Sequence, residues 1–227
     1  MNHMVVTNPD ISRVFRSKRD AQVTYDKMSK WYDLLAGSEQ FLTDSGIEKL
    51  NPSAGEKILE IGYGTGQALV KFAQAVTDSG KVYGLDISAG MCMVARRRVA
   101  HAGMSSRVTL ECGDAVALPF GPAFFDAVFM SFTLELFDTP DIPLVLEECR
   151  RVLTPTGRIC VVALAKAEPE GWISKSYEWL HRRFPKSVDC RPIMTQLSLE
   201  AACFHILDLN RKYMWGLPVD ICLADKK

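Results

Sequence analysis

A chain of 227 residues suits one domain, and surface scaling lets roughly 70% of its surface be buried, so the core needs no staples. Hydrophobic residues make up 48% and charged residues 24%, which excludes a disordered or collagen-like chain. Lys plus Arg and Asp plus Glu number 27 each, so no net field draws the molecule toward nucleic acid or an anionic membrane.

Residues 1–20 are basic and aperiodic and predict a flexible N-terminal arm. Over 21–50, Val23, Met28, Trp31, Leu34, Leu35, Phe41, Leu42, Ile47 and Leu50 recur at helical spacing, predicting a helical cap of two helices broken at Gly37 and Gly46. KILEIG at 57–62 is a short bounded apolar run, the pattern of a strand buried on both faces. The alternation then repeats: helix at 66–76, strand at 81–88, helix at 89–103, strand at 107–115, strand at 124–132, helix at 141–153 and strand at 157–165. Strands alternating with helices of crossover length predict a Rossmann-like, doubly wound α/β fold. Residues 166–196 lose strand periodicity and gain Trp172, Tyr177, Trp179 and Phe184, predicting an insertion that covers an acceptor site. A helix at 197–204 precedes HILDLNRKYMW and PVDICLADK, an antiparallel pair that completes a mostly parallel seven-stranded sheet. The whole of 21–227 reads as a single domain.

Seven cysteines at scattered positions match no secreted disulfide framework, and four isolated histidines show no zinc-ligand spacing, so no metal site is expected. The N-terminal arm holds no apolar stretch of signal-peptide length. The longest apolar run, ICVVALA at 159–165, is too short to cross a bilayer. A cytoplasmic location is expected, without stable membrane insertion but with peripheral contact left open.

The chemistry concentrates where strands end. Gly62, Gly64 and Gly66 lie between the first strand and its helix, where missing side chains let a ligand approach the backbone and the helix N-terminus. A dinucleotide fingerprint would place its third glycine at position 67, which is Gln67. Asp86 ends the second strand, where an acidic residue accepts hydrogen bonds from ribose hydroxyls, and Ser88 is the better cap for the helix that follows. Asp114 and Ala115 follow the third strand, where a carboxylate and a backbone amide suit an adenine edge. Arg96, Arg97 and Arg98 read as the solvated face of a helix.

At these residues the sequence resembles the class I S-adenosylmethionine-dependent methyltransferases, most closely their UbiE/COQ5-like branch. The matching pieces are YDKMSKWYD at 25–33, ILEIGYGTG at 58–66, VYGLDIS at 82–88, GDA at 113–115, FFDAVFMSF at 124–132 and LEECRRVLTPTG at 146–157. The resemblance implies that Gly62, Gly64, Thr65 and Gly66 hold the methionine part of S-adenosyl-L-methionine. It places Asp86 on the ribose, Asp114 and Ala115 on the adenine, Ser131 beside the cofactor, and Tyr25 and Tyr32 over it. The implied activity is in-line methyl transfer to a small-molecule acceptor, lipid-like or quinone-like, with S-adenosyl-L-homocysteine as product and no nucleic-acid partner. Tyr63 replaces the small residue or cysteine common in the family, and Thr154–Gly157 lacks one glycine of its KPGG turn. Segments 132–137 and beyond 165 depart from the quinone-biosynthesis enzymes. Tyr32 and His181 are the candidate bases, with a solvated surface histidine as the plainer reading of His181 beside Arg182 and Arg183. Two other readings stay open: a nicotinamide-dependent oxidoreductase and a non-catalytic S-adenosylmethionine-binding module. Neither the acceptor atom nor the oligomeric state is legible.

Overall fold

A computed structural model describes residues 37–166 and 190–226. Its elements, in chain order, are α1 (Gly37–Leu50), β1 (Lys57–Ile61), α2 (Gln67–Ala75), β2 (Lys81–Asp86), α3 (Ala89–His101) and β3 (Val108–Cys112). They continue with β4 (Phe125–Ser131), a single 3-10 turn (Leu134–Leu136), α4 (Asp141–Val152), β5 (Leu153–Leu164), α5 (Thr195–Ala201), β6 (Phe204–Met214) and β7 (Leu217–Lys226). The strands form one sheet in the order β3-β2-β1-β4-β5-β7-β6. β1 to β5 pair in parallel, whereas β7 pairs antiparallel with both β5 and β6. This is the expected doubly wound α/β sheet, and its strand order reverses between β1 and β4, where such folds open a crevice.

The alternation of side chains along each strand divides the core into two layers. In β1, Leu59 and Ile61 join the layer capped by α4, whose Val145, Leu146 and Cys149 are buried there, while Ile58 joins the layer under α2 and α3. Phe72 of α2 meets Phe129 of β4 edge to face, with ring centroids 5.1 Å apart.

Three expectations change. Gly46 does not break α1, which runs unbroken to Leu50. A Cβ at Gly46 would lie 2.4 Å from Val162 Cγ2 and 3.1 Å from the Phe129 ring, so the glycine is there to let the helix backbone reach the sheet. β5 begins at Leu153, with its pairing to β4 shifting register between Phe125 and Ala127, so Thr154–Gly157 lies inside the strand's bounds. The terminal hairpin turns at Trp215 and Gly216, close to its predicted place, but the helix before it spans Thr195–Ala201 and ends earlier than predicted. The arm at 1–20, the first part of the cap and most of the insertion at 166–196 lie outside the described residues. Among the described residues, no helix is long and apolar enough to cross a membrane.

Candidate functional site

β1 ends in the glycine loop, and two of its glycines are needed for different reasons. Gly62 has φ +71°, and a Cβ there would lie 2.3 Å from Thr133 Oγ1 and 2.9 Å from Thr133 Cβ, so the loop after β4 packs directly on it. Gly64 has φ +51° and would meet nothing within 4 Å. Its open side is a cleft of about 590 Å³, solvent at the mouth included, bounded by Gly62–Thr65, by the start of α2, by α1, and by Ser131 and Phe132 past β4. Thr43 of α1 and Ser131 share a hydroxyl hydrogen bond of 2.7 Å, which ties the helix to the end of β4 at this wall. Phe132 adopts φ +49°, an uncommon conformation for a bulky residue, at the place where the chain turns away from the cleft.

The cleft is acidic. Glu39 and Asp44 of α1 and Glu60 of β1 line it, against Lys71, which pairs with Asp44. Glu60 is 4% exposed, and its Oε2 has no hydrogen-bond partner among the described residues. Burial pushes its carboxyl well above the ordinary carboxylate range, and the neighbouring Asp86 pushes it the same way. A buried carboxyl in the cleft's lining, which a neighbouring positive charge would favour in its ionised form, suits a cationic ligand.

Asp86 stands at the end of β2 as expected. Its Oδ2 accepts from the Gly64 N–H at 2.9 Å and its Oδ1 from the Ser88 N–H at 2.9 Å, so it ties the glycine loop to the β2 turn. Ser88 caps α3, its Oγ accepting from the Met91 N–H at 3.1 Å. Asp114 Oδ1 accepts from the Val116 N–H at 3.2 Å, and Ala115 is buried. The loop that carries them is fastened to α4: Glu148 Oε2 accepts from the Leu118 N–H at 2.7 Å, and Arg151 donates to Phe120 O at 2.7 Å and Leu118 O at 3.1 Å. Asp114 and Ala115 lie along the same sheet edge but outside the cleft's lining.

Thr65 lines the cleft and its hydroxyl accepts from Arg98 Nη1 at 2.9 Å. Arg98 therefore departs from the solvated face expected of Arg96, Arg97 and Arg98, being half-buried while the other two are exposed. Gly66, with φ +81°, caps α2. The tyrosine at position 63 has a structural partner: its ring crosses Gly84, where a Cβ would approach to 2.6 Å, and its hydroxyl donates to Glu111 O at 3.2 Å. Tyr25, Tyr32 and His181 lie outside the described residues. Glu60, Glu39 and Asp44 were not picked out from the sequence, although a glutamate inside the apolar run KILEIG is itself a signal.

A doubly wound sheet with a glycine loop after β1 and an acidic cleft at its switch point defines a nucleoside-binding α/β fold suited to a cation. The methyltransferase domain family matches residues 58–157. The demethylmenaquinone methyltransferase of Symbiobacterium thermophilum is 37% identical over 61% of this chain and 57% of its own length. The ubiquinone/menaquinone biosynthesis C-methyltransferase UbiE of Cellvibrio japonicus is 33% identical over 72% of this chain and 66% of its own length. The chain thus spans about three fifths of the length of these curated relatives. The crystal structure of the cyclase SpnF superposes with a TM-score of 0.75 over 95% of this chain and 98% of that one, at 21% identity, a likeness of fold. The chain belongs to the UbiE-like class I S-adenosylmethionine-dependent methyltransferases. S-adenosylmethionine, the cofactor of that family, is a sulfonium cation, and the open space beside Gly64 and the carboxyl of Glu60 in the cleft's lining fit it.

Proposed function

We propose that the chain transfers a methyl group from S-adenosylmethionine to a small quinol-like acceptor. The observation that carries this reading is the acidic cleft on the glycine loop, with the buried carboxyl of Glu60 facing it. When bound, the cofactor supplies an activated methyl group that leaves a positively charged sulfur for an acceptor atom in line with it. Gly62, Gly64, Thr65 and Gly66 hold the amino-acid tail against the loop backbone, and Glu60 offsets the cofactor's positive charge. Asp86 accepts from the ribose hydroxyls, and Asp114 and the Ala115 amide bind the adenine edge. Ser131 stands beside the reacting end. Aligning acceptor and donor in a site closed to water supplies roughly 7 to 11 kcal/mol of the barrier. The relatives' names, demethylmenaquinone and ubiquinone/menaquinone C-methyltransferase, support a quinol-like ring as acceptor and carbon as the methylated atom.

Calorimetry with S-adenosylmethionine, S-adenosylhomocysteine and NADH tests the cofactor. The first two bind and NADH does not. Incubation with the cofactor and a reduced short-chain demethylmenaquinone, read by mass spectrometry, then yields a product heavier by one methylene unit. NADH binding in the cleft, with S-adenosylmethionine excluded, overturns the reading.

A further inference from the structure

In the proposed binding mode, the nucleoside runs from the glycine loop toward the ends of β2 and β3. The sulfonium's methyl group must then point the other way, over the ends of β4 and β5, and an in-line acceptor must sit there. The turn Thr133–Phe137 leaves that edge of the sheet directly after β4. Thr133 packs on Gly62, and Ser131 and Phe132, which lead into the turn, line the cleft. Two residues beyond Thr133, the side chain of Glu135 is fully buried. Its Oε1 accepts from the Leu164 N–H at the end of β5 at 3.1 Å, which fixes the carboxyl group, while Oε2 has no hydrogen-bond partner among the described residues. The charged groups facing it among the described residues are Glu39 of α1, itself part of the cleft wall, and Arg191, ahead of α5. Arg191 also steadies the turn, Nη2 donating to Phe137 O at 2.6 Å.

We propose that Glu135 is the base that takes the proton from an acidic hydroxyl of the acceptor, a phenol or enol, as the methyl group arrives. This rests on the transfer reading above. A carboxyl group serving structure alone would have both oxygens paired at such depth, since a bare polar atom in the interior is costly. Here one oxygen is anchored and the other, though buried, has no hydrogen-bond partner among the described residues. Burial pushes the Glu135 carboxyl up to about 8; its own backbone and the Leu164 N–H hold it down, Glu39 raises it and Arg191 lowers it. That range matches a general base working near neutral pH.

In the step, the ionised Glu135 accepts the hydroxyl proton, and the O–H electron pair moves into the conjugated ring. The ring carbon forms a bond to the methyl group while the carbon–sulfur bond breaks, its electron pair staying on sulfur. The charges of sulfonium and carboxylate vanish together, leaving a neutral thioether, a carboxylic acid and the methylated keto tautomer. The ring C–H proton of that tautomer is then lost as its oxygen regains one, and Glu135 releases its own proton to solvent.

Glu135→Gln tests this, because the amide keeps an acceptor for the Leu164 N–H and removes the ionisation. Affinity for S-adenosylmethionine and S-adenosylhomocysteine is expected to stay within about twofold of wild type, since the proposed cofactor contacts lie elsewhere. Naphthohydroquinone, titrated anaerobically into the S-adenosylhomocysteine-bound protein, binds wild type more tightly as pH rises toward about 8. The variant binds it about tenfold more weakly with a flat pH profile, having lost a charged acceptor. Single-turnover transfer to the same probe falls about 10²–10³-fold. Equal probe affinity and equal pH dependence in the two proteins overturn the proposal. So does a wild-type protein that binds the cofactor but not the naphthohydroquinone. A wild-type protein that binds no S-adenosylmethionine overturns the transfer reading itself.

Discussion

Replacing Gly64 by alanine separates the cofactor's cradle from the fold. Gly64 sits at φ +51°, where a side chain costs about 1–2 kcal/mol, and no atom lies within 4 Å of the added methyl group. The stability loss is therefore that backbone cost alone. The methyl group projects into the space proposed for the amino-acid tail of the cofactor, and crowding of this kind costs roughly 1–3 kcal/mol, a fall in affinity of about five- to 150-fold. Gly62→Ala is the contrast. It has the same sign of φ, +71°, but the new Cβ meets Thr133 Oγ1 at 2.3 Å, Cγ2 at 2.4 Å and Cβ at 2.9 Å. Rotating Thr133 cannot clear its own Cβ, so a packing term of about 1–3 kcal/mol adds to the backbone cost, for a total of about 2–5 kcal/mol. Urea unfolding gives the stabilities, and titration calorimetry with S-adenosylmethionine gives the affinities. The reasoning fails if Gly64→Ala binds the cofactor as wild type does, or if Gly62→Ala is no less stable than Gly64→Ala.

Other expectations follow from the charged groups. Because burial raises the Glu60 carboxyl, and a cation favours its ionised form, S-adenosylmethionine affinity should climb as pH rises above 4.5 through that elevated range, by at most about tenfold per pH unit. Glu60→Gln should remove that share of the slope, and an identical slope in the variant counts against the assignment. Arg158 donates to both carboxylate oxygens of Glu56 and to the carbonyls of Leu50 and Asn51, pinning the end of α1 to β1 and β5. Arg158→Met should cost about 2–3 kcal/mol by urea unfolding at neutral pH. Burial pushes Glu56 up, but its bonds to Arg158 and the Ser53 N–H bring it below 4.5, so this stabilisation is present above that value and is lost as pH falls through the lowered range. An equally large loss in strong acid would contradict the pairing. Glu135 works in the opposite sense. Its folded-state value of about 8 lies above the ordinary carboxylate value of 4.5, so stability falls as pH rises between the two, and Glu135→Gln should flatten that decline in unfolding free energy.

The middle of the sheet was legible because β1, β4 and β5 are largely buried on both faces and the helices are not. KILEIG, FFDAVFMSF and GRICVVALA stand out as short apolar blocks, and the helices between them fix parallel pairing through the handedness of the crossovers. The strand ends carrying Gly62, Asp86 and Asp114 follow from the same reading, since the residue that ends each parallel strand must lie on the ligand-binding edge. Gly46 was misread because helix propensity treats glycine as a local weakness, whereas its cause lies in Val162 and Phe129, far along the chain. Arg98 was misread for a related reason: helical periodicity says which face a residue takes, but not that the glycine loop ends beneath it with the Thr65 hydroxyl in reach.

Glu60 and Glu135 mark the place where periodicity reads a fold correctly and still passes over chemistry. Each is an acid inside an apolar stretch, KILEIG and TLELF, and each is buried with one carboxyl oxygen lacking a hydrogen-bond partner among the described residues. A leucine at either position would satisfy the local pattern better and avoid a desolvation cost of several kcal/mol. Conflicts of this kind persist where the surroundings hold the group for a purpose other than stability. One stands on β1 two residues before Gly62, and the other two residues past Thr133, which packs on Gly62.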